Sequence, residues 1–255
     1  MRTEAVFADR CRLPVPIGAV YTRPVGVPLR PLVTVPSPTE PRAAGDVAID
    51  AEWIRRAVRR ARVSVARHAA SLTRLDAVLG DGDHGDNLAT GFRSAEVLLD
   101  ELPPGAAPGE VLRAVGHRLV ATVGGASGPL YGTALIEAGF RAGHAEVLDP
   151  PLISEMLRAA AAGLARRGRC AIGDKTILDT LGPAAEAYAT VVATGGDGRT
   201  ATAAALSAAR RGMLSTRPLV ARRGLALRLG TRSAGHLDPG AVSCFVLLVA
   251  LAGTR

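Results

Sequence analysis

The sequence predicts an all-α protein, an antiparallel bundle or barrel of about seven or eight helices. After Asp50, apolar residues recur along most of the chain at intervals of three, four or seven, which is the spacing of one helix face. Breaks containing glycine and proline separate these segments, and none of the segments shows the strict apolar and polar alternation of a hairpin strand. Aromatic residues make up only 3% of the chain, so small and branched aliphatic side chains must fill the core. Such a core favours helices packed against helices.

The first 45 residues differ from the rest because proline recurs in them without a sustained apolar period. The prolines are Pro14, Pro16, Pro24, Pro28, Pro31, Pro36, Pro38 and Pro41. Each proline removes a backbone donor and restricts φ, so this segment cannot keep a helix. The sequence therefore predicts an irregular or disordered extension over residues 1–45 and one helical domain over residues 46–255.

The helical domain is predicted to begin at Asp50, a good N-cap, with Glu52 near the positive end of the first helix. In that helix the apolar face consists of Ile54, Val58, Ala61, Val65 and Leu72. A further helix is expected to start near Leu130, and an apolar helix ends the chain. Similar spacing predicts helices over Leu88–Leu99, Val111–Val123, Ile153–Leu164, Ile177–Val192 and Ala201–Met213.

The cysteines and the longest apolar run bear on where the protein works. Cys11, Cys170 and Cys244 are far apart, odd in number and without C-x-x-C spacing, so neither a disulfide framework nor a zinc site is predicted. We expect a cytoplasmic protein. The longest apolar run, Ala241–Ala252, is shorter than the roughly 18 to 20 residues of a membrane span. We expect no membrane association, and the N-terminal residues do not have the pattern of a secretory signal.

The formal net charge of +8 raises the question of nucleic-acid binding. The positive charge is almost entirely arginine, with Lys175 as the only lysine, and the arginines are scattered through the helices instead of forming one stripe. We therefore expect no nucleic-acid partner. The rival hypothesis, a basic helical protein that binds nucleic acid, predicts a steep dependence of its DNA affinity on salt.

A glycine-rich turn between two predicted helices is dense in carboxylates. Within Leu75–Asn87 these carboxylates are Asp76, Asp81, Asp83 and Asp86. Like charges this close repel each other unless a cation joins them. Magnesium fits, because it prefers oxygen ligands and commonly combines one or two carboxylates with water and phosphate oxygens.

Two other kinds of loop share features with this turn. It resembles a solvated turn whose Asp or Asn caps the helix beginning near Asn87. A calcium EF-hand is excluded, because the twelfth position counted from Asp81 is Phe92, where the bidentate glutamate belongs.

Three further loops carry polar or glycine-rich motifs. The loop Gly124–Pro129 offers bare backbone amides and the Ser127 hydroxyl at a helix start, a combination that accepts phosphate oxygens, although such loops are often only packing elements. The segment Gly168–Thr176 is not a P-loop, because Asp174 separates the glycine from the lysine. The segment Gly230–Ala241 is a polar turn before the last helix, in which Asp238 is expected to cap the helix and Pro239 to stand at its first position.

Four motifs, taken together and in this order, resemble the L subunit, or L domain, of dihydroxyacetone kinases. They are G-D-G-D-H-G-x-N, G-G-A-S-G-P-L, G-D-K-T-x-x-D and G-x-R-S-x-G-H-x-D-P-G-A, spread over about residues 50–253. Each motif alone is weak, but the ordered set is specific. The histidine in the first motif, His84, separates this chain from the related fatty-acid kinase proteins, which carry D-G-D-T-G there.

The resemblance implies an eight-helix antiparallel barrel with the nucleotide, ADP or ATP, at one end. It implies that Asp76, Asp81 and Asp83 bind two magnesium ions that bridge them to the diphosphate. The other implied nucleotide-binding residues are His84, Gly85, Asp86 and Asn87 in the adjoining turn, Ala126 and Ser127 in the phosphate loop, Gly168 and Ile177 near the adenine and ribose, and Asp238, Pro239 and Gly240 in the last loop.

One position departs from the family pattern. Where the family usually has G-R-A-x-Y, this chain has the sequence G-L-A-L-R, so Leu225 replaces an arginine that faces the nucleotide. A charge-assisted hydrogen bond contributes about 1.5 to 3 kcal/mol, so its loss would weaken nucleotide binding roughly ten- to a hundredfold. Arg223 and Arg228 are the nearby arginines that would have to replace it.

The implied function is to present a phosphoryl group to a small ketose held on a separate K subunit. Accordingly, the chain shows no nucleophile with an adjacent base, and no catalytic residue is expected beyond the metal and nucleotide site. Two matters stay open, namely the ketose and whether the phosphoryl group comes from free ATP or from a phosphohistidine donor protein that recharges bound ADP. The alternative function is that of a degenerate, non-catalytic relative that binds nucleotide or a partner as a regulator, which Leu225 favours.

Overall fold

The computed structural model describes residues 19–21, 31–34 and 48–253. The chain divides into two units, Met1–Arg42 together with Arg255, and Ala43–Thr254. Each unit is described separately below.

The described part of the first unit is a short β-ribbon. Strand β1 (Ala19–Tyr21) pairs antiparallel with strand β2 (Pro31–Thr34), and Tyr21 lies opposite Pro31. Pro31 is the first residue of its strand, a position where the missing N–H donor is tolerated. No strand was predicted here, because three or four residues are too few to show an alternating pattern. The other residues of the predicted 1–45 extension lie outside the described part of the chain.

The described residues of the second unit contain eight α-helices, which confirms the predicted all-α fold. These are α1 (Ala51–Leu79), α2 (His84–Glu101), α3 (Pro108–Thr122), α4 (Ser127–Ala142), α5 (Pro150–Gly168), α6 (Leu178–Ala193), α7 (Gly198–Ser215) and α8 (Pro239–Ala252). A 3₁₀-helical segment, Leu225–Ser233, lies in the long connection between α7 and α8.

The helices form a closed ring. Each helix packs against the next one along the chain, and α8 packs back against α1. Short loops join most neighbours, so successive helices run in opposite directions. The four connections that lead from an odd-numbered helix to an even-numbered helix therefore share one end of the ring. All four sequence motifs lie in these connections or in the first turn of the following helix.

Close packing in the ring depends on small residues. Helices α3 and α4 touch through their backbones: a Cβ added to Gly116 would lie 2.7 Å from the carbonyl oxygen of Gly132. A second pair, Gly109 and Gly139, meets in the same way near the other end of these helices. Any side chain at these positions would push the two helices apart, as the low aromatic content suggested.

Local caps set the start of several helices. The side chain of Asp50 accepts a hydrogen bond from the N–H of Trp53 at 2.8 Å, and that of Asp238 accepts one from Ala241 at 2.7 Å. Both caps were predicted, as was the position of Pro239 at the first residue of α8. Among the described helices, none combines the length and the apolar character needed to cross a membrane.

Candidate functional site

Three aspartates converge where α1 ends and α2 begins. Asp76 lies in the last turn of α1, and Asp81 and Asp83 lie in the loop that follows. One carboxylate oxygen from each of them lies within 4.8 Å of the other two. Asp76 is buried, whereas Asp81 and Asp83 are exposed. The three carboxylates therefore form one cluster that is buried at Asp76 and exposed to solvent at Asp81 and Asp83.

Asp76 holds the loop in this shape. Its Oδ2 accepts hydrogen bonds from the N–H groups of Gly82 at 3.0 Å, Asp83 at 3.1 Å and His84 at 3.3 Å. Gly80 stands directly against the same carboxylate, and a side chain at Gly80 would collide with it. The loop thus wraps around Asp76, which explains why the glycines are needed beside it.

The exposed carboxylates repel one another. Burial, and then the charges of Asp81 and Asp76, raise the pKa of Asp83 above its usual value, although a hydrogen bond with Asn87 lowers it. A cation would relieve this repulsion, and three carboxylates suit a hard divalent ion such as Mg²⁺. The residues present therefore fit the predicted magnesium site.

The capping interpretation of this loop is not supported by its hydrogen bonds. Asp83 occupies the N-cap position of α2, yet its side chain makes no capping hydrogen bond. The first N–H groups of the turn are instead bonded by Asp76, from the preceding helix. The exposed side chain of Asp83 interacts with the side chain of Asn87 instead, and Asp81 is exposed beside it.

His84, the first residue of α2, connects three helices. Its ring lies between Ser127 at the start of α4 (Nδ1 to Oγ, 3.0 Å) and Ser243 in α8 (Nε2 to Oγ, 2.8 Å). Burial lowers the pKa of His84, partly opposed by the charge of Asp76, so the imidazole is neutral near pH 7. Ser243 has no sequence motif of its own and was not among the predicted site residues.

The loop between α3 and α4 lies beside the aspartate loop. A Cβ added to Gly124 would meet the Asn87 amide at 2.8 Å, so this loop and the first turn of α2 are in close contact. Gly125 has φ +64°, a conformation that favours glycine. Ala126 is the N-cap residue of α4 and Ser127 its first residue. The positive ends of α2 and α4 therefore converge near the carboxylates.

Packing on α1 holds the first turn of α2 in place. Gly85 lies against the Ala69 backbone of α1, where a side chain would not fit. Asp86 is exposed, and its carboxylate lies 3.4 Å from the Thr73 hydroxyl. The predicted residues of this turn, including His84 and Asn87, are thus brought together with the aspartates.

Lys175 organises the connection between α7 and α8. Its side chain is only 2% exposed, and Nζ donates hydrogen bonds to the carbonyl oxygens of Thr216 at 2.8 Å, Leu219 at 3.2 Å and His236 at 2.5 Å. Sequence reasoning gave this residue no role. The sequence does contain one sign that Lys175 is special, because it is the only lysine in a chain whose other positively charged side chains are arginines.

The last predicted loop meets the start of α6. Ile177, the N-cap residue of α6, packs on Gly240, where a Cβ would lie 2.8 Å from Ile177 Cγ1. Asp238 is buried beside it at the start of α8, and burial raises the pKa of Asp238 to about 7. Gly168 lies elsewhere, at the end of α5, where a Cβ would lie 3.1 Å from Leu130 of α4. Gly168 and Ile177 thus lie at opposite ends of the α5–α6 loop.

Leu225 begins the 3₁₀ segment and is 42% exposed. Arg223 is engaged elsewhere, because its Nε lies 3.1 Å from the Asp174 carboxylate. Arg228 is exposed. Residues three apart share one face of a 3₁₀ helix, so Arg228 lies one turn further along the face of Leu225.

Comparison with known proteins finds similarity over most of this unit. Residues 78–253 match the DAK2 domain. The chain is 42% identical over 181 residues to the PEP-dependent dihydroxyacetone kinase 2, ADP-binding subunit DhaL, of Listeria innocua, covering 69% of this chain and 82% of that subunit. It is 38% identical over 183 residues to the corresponding Escherichia coli subunit, the ADP-binding subunit DhaL of PEP-dependent dihydroxyacetone kinase, covering 71% and 86%.

A similar solved structure is the dihydroxyacetone kinase from C. freundii in complex with AMP-PNP and Mg²⁺. The TM-score is 0.61 at 25% identity, and the match covers 90% of this chain. It covers 38% of the solved chain, so the present chain spans about two fifths of that protein.

Proposed function

This chain belongs to the DAK2 domain family, and we propose that it is the nucleotide-binding L subunit of a dihydroxyacetone-type kinase. In this role it holds an adenine nucleotide and presents a phosphoryl group to a small ketose on a separate K-type subunit. The observation that carries the proposal is the cluster of Asp76, Asp81 and Asp83 beside the converging starts of α2 and α4. The names of the relatives, both ADP-binding subunits, support the same role.

Magnesium joins the carboxylates to the phosphates in this proposal. Asp76, Asp81 and Asp83 would hold two ions, as the family resemblance implies, and water and phosphate oxygens would complete the shell of each ion. When bound, magnesium neutralises the charge of the phosphoryl group in transfer. The solved relative with AMP-PNP and Mg²⁺ supports this pairing of nucleotide and ion.

The remaining predicted residues would bind the nucleotide itself. His84, Gly85, Asp86 and Asn87 and the loop residues Ala126 and Ser127 would surround the phosphates, since helix starts with free N–H groups attract anions. The parts of the nucleotide other than the phosphates would contact a second group of residues, Asp238, Pro239, Gly240 and Ile177, which lie together. Gly168, near Leu130 at the other end of the α5–α6 loop, would contact these parts as well.

Phosphoryl transfer of this kind needs positioning and charge neutralisation more than covalent chemistry. This explains why we assign no catalytic residue on this chain beyond the metal and nucleotide site.

Both relatives are named PEP-dependent, so we infer that bound ADP is recharged by a phosphohistidine donor protein. The cytoplasmic location stays a prediction.

Part of the positive charge is used in ion pairs between neighbouring helices. Arginines on several helices pair with carboxylates, for example Arg62 with Glu96 at 2.8 Å and Arg166 with Glu137 at 2.8 Å. The absence of a nucleic-acid partner stays a prediction from the sequence.

The test is to denature the purified protein and identify the released nucleotide. We expect ADP with magnesium if the recharging mechanism is right, and the absence of any adenine nucleotide, together with no binding of added Mg–ADP, would contradict the proposal. A phosphoryl-transfer assay with a matched K subunit then separates a kinase subunit from the alternative, a regulator that binds nucleotide without supporting transfer.

A further inference from the structure

Four side chains form a largely buried hydrogen-bonded chain between α2, α4 and α8. His84 lies between Ser127 and Ser243, and Ser243 Oγ lies 2.6 Å from the Tyr131 hydroxyl. Ser243 Oγ also lies 3.0 Å from the carbonyl oxygen of Gly240, three residues earlier in its own helix. His84, Tyr131 and Ser243 are buried, whereas Ser127 is only half-buried. Ser127 is thus the outer end of the chain, beside the aspartate loop.

Each of these groups has few hydrogens to donate. A hydroxyl carries one hydrogen, and a neutral imidazole carries one, on either Nδ1 or Nε2. The tautomer of His84 therefore sets the direction of the hydrogen bonds on both sides of its ring. When Tyr131 donates to Ser243 rather than to the Gly240 carbonyl oxygen, which lies 3.2 Å from the Tyr131 hydroxyl, the hydrogen of Ser243 can go to Gly240 or to His84.

In the first arrangement all hydrogens stay inside the protein. His84 carries its hydrogen on Nε2 and donates it to Ser243, which donates to the Gly240 carbonyl. Ser127 then donates to Nδ1 and presents only lone pairs to the outside. Because a phosphate oxygen can only accept, this arrangement gives Ser127 nothing to offer a phosphate.

In the second arrangement Ser243 donates to Nε2 instead of to Gly240. His84 then carries its hydrogen on Nδ1 and donates it to Ser127, whose own hydrogen is free to point outward. Ser243 Oγ lies 2.8 Å from Nε2 and 3.0 Å from the Gly240 carbonyl oxygen, so Ser243 can change its acceptor by rotating its hydroxyl. The ring hydrogen also moves from Nε2 to Nδ1, by release of one hydrogen to water and uptake of another from water.

We propose that Ser243 is a positioning residue that selects the Nδ1-protonated tautomer of His84 when nucleotide binds, so that Ser127 donates its hydroxyl hydrogen to a phosphate oxygen. The free protein holds the first arrangement, in which four internal hydrogen bonds are made, and the bound protein holds the second. This inference rests on the proposed function, since it requires a phosphate at Ser127.

The test is a ¹⁵N spectrum of histidine-labelled protein without and with saturating Mg–ADP. Protonated and unprotonated ring nitrogens give separate ¹⁵N signals, and His84 is identified by the signal lost in His84→Gln. We expect the hydrogen on Nε2 in the free protein and on Nδ1 in the complex. An unchanged tautomer, or both nitrogens protonated in the complex, overturns the inference. Failure of the wild type to bind Mg–ADP at all overturns the proposed function as well.

Ser243→Ala removes the donor to Nε2. We expect Mg–ADP affinity to fall about two- to tenfold, the value of one hydrogen bond, and the spectrum of the complex to lose its single Nδ1-protonated form. The matched control is Ser154→Ala, which changes a buried serine in α5 near the other end of the ring. It should change neither the Mg–ADP affinity nor the histidine spectrum. Retention of the wild-type tautomer and affinity in Ser243→Ala would refute the role of Ser243.

Discussion

Replacing Asp83 with asparagine should have opposite effects on stability with and without nucleotide. Without ligand, Asp83 lies within 4.8 Å of two other carboxylates. At this separation each unit charge costs about 0.9 kcal/mol in a water-like dielectric, and salt reduces this further. Asp83→Asn should therefore stabilise the metal-free protein by roughly 1 kcal/mol or less. Since the pKa of Asp83 is raised, this gain should grow as the pH rises from about 4 towards neutrality.

With nucleotide the same change should be costly, because it replaces a charged magnesium ligand with a neutral amide oxygen. Mg–ADP at 100 times its Kd stabilises the wild type by about 2.7 kcal/mol, equivalent to roughly 5 to 10 °C in Tm for a domain of this size. Asp83→Asn should lose most of that shift. Thermal melts with and without Mg–ADP measure both effects, and Asp149→Asn, an exposed N-cap at the other end of the ring, is the control.

Two results would refute this reasoning. If Asp83→Asn keeps the wild-type shift with Mg–ADP, the aspartate loop is not the metal site. If Asp83→Ala loses about 0.5 to 2 kcal/mol without ligand, the carboxylate acts as a helix cap instead; Asn caps a helix as well as Asp does, so the alanine variant is the one that makes this distinction.

Three further predictions concern other parts of the chain. Lys175→Met should lower the free energy of unfolding by about 1.5 to 3 kcal/mol in urea titrations, because three backbone carbonyls lose the charged donor supplied by a buried side chain. The control Arg232→Met, at an exposed position, should not lower it. Leu225→Arg should tighten Mg–ADP binding about tenfold in calorimetric titrations, and no gain would mean that another arginine, such as Arg228, already acts there. Deletion of residues 1–45 should change Tm by no more than a few degrees, since a proline-rich segment has little to bury, and a larger drop would show that it packs on the domain.

Structural features that depend only on residues close together in the sequence were predictable. The helices α1 and α8 start at Asp50 and Asp238, because each aspartate side chain accepts a hydrogen bond from the N–H three residues later. The start of α4 was placed near Leu130, but the helix begins at Ser127, because a glycine-rich loop does not show where its turn ends and the helix begins. The strands β1 and β2 were too short to predict.

The sequence by itself determined the helical fold, the acidic loop of Asp76, Asp81 and Asp83, and the family resemblance, because periodicity, caps and motifs are local patterns. Only the tertiary structure decided that α8 closes the ring on α1, and that Lys175 holds the α7–α8 connection through three carbonyls. It alone brought Ser243 to His84, 159 residues away along the chain. A contact over such a distance depends on how whole helices pack, and a hydroxyl in an apolar helix gives no local sign of the partner it will meet.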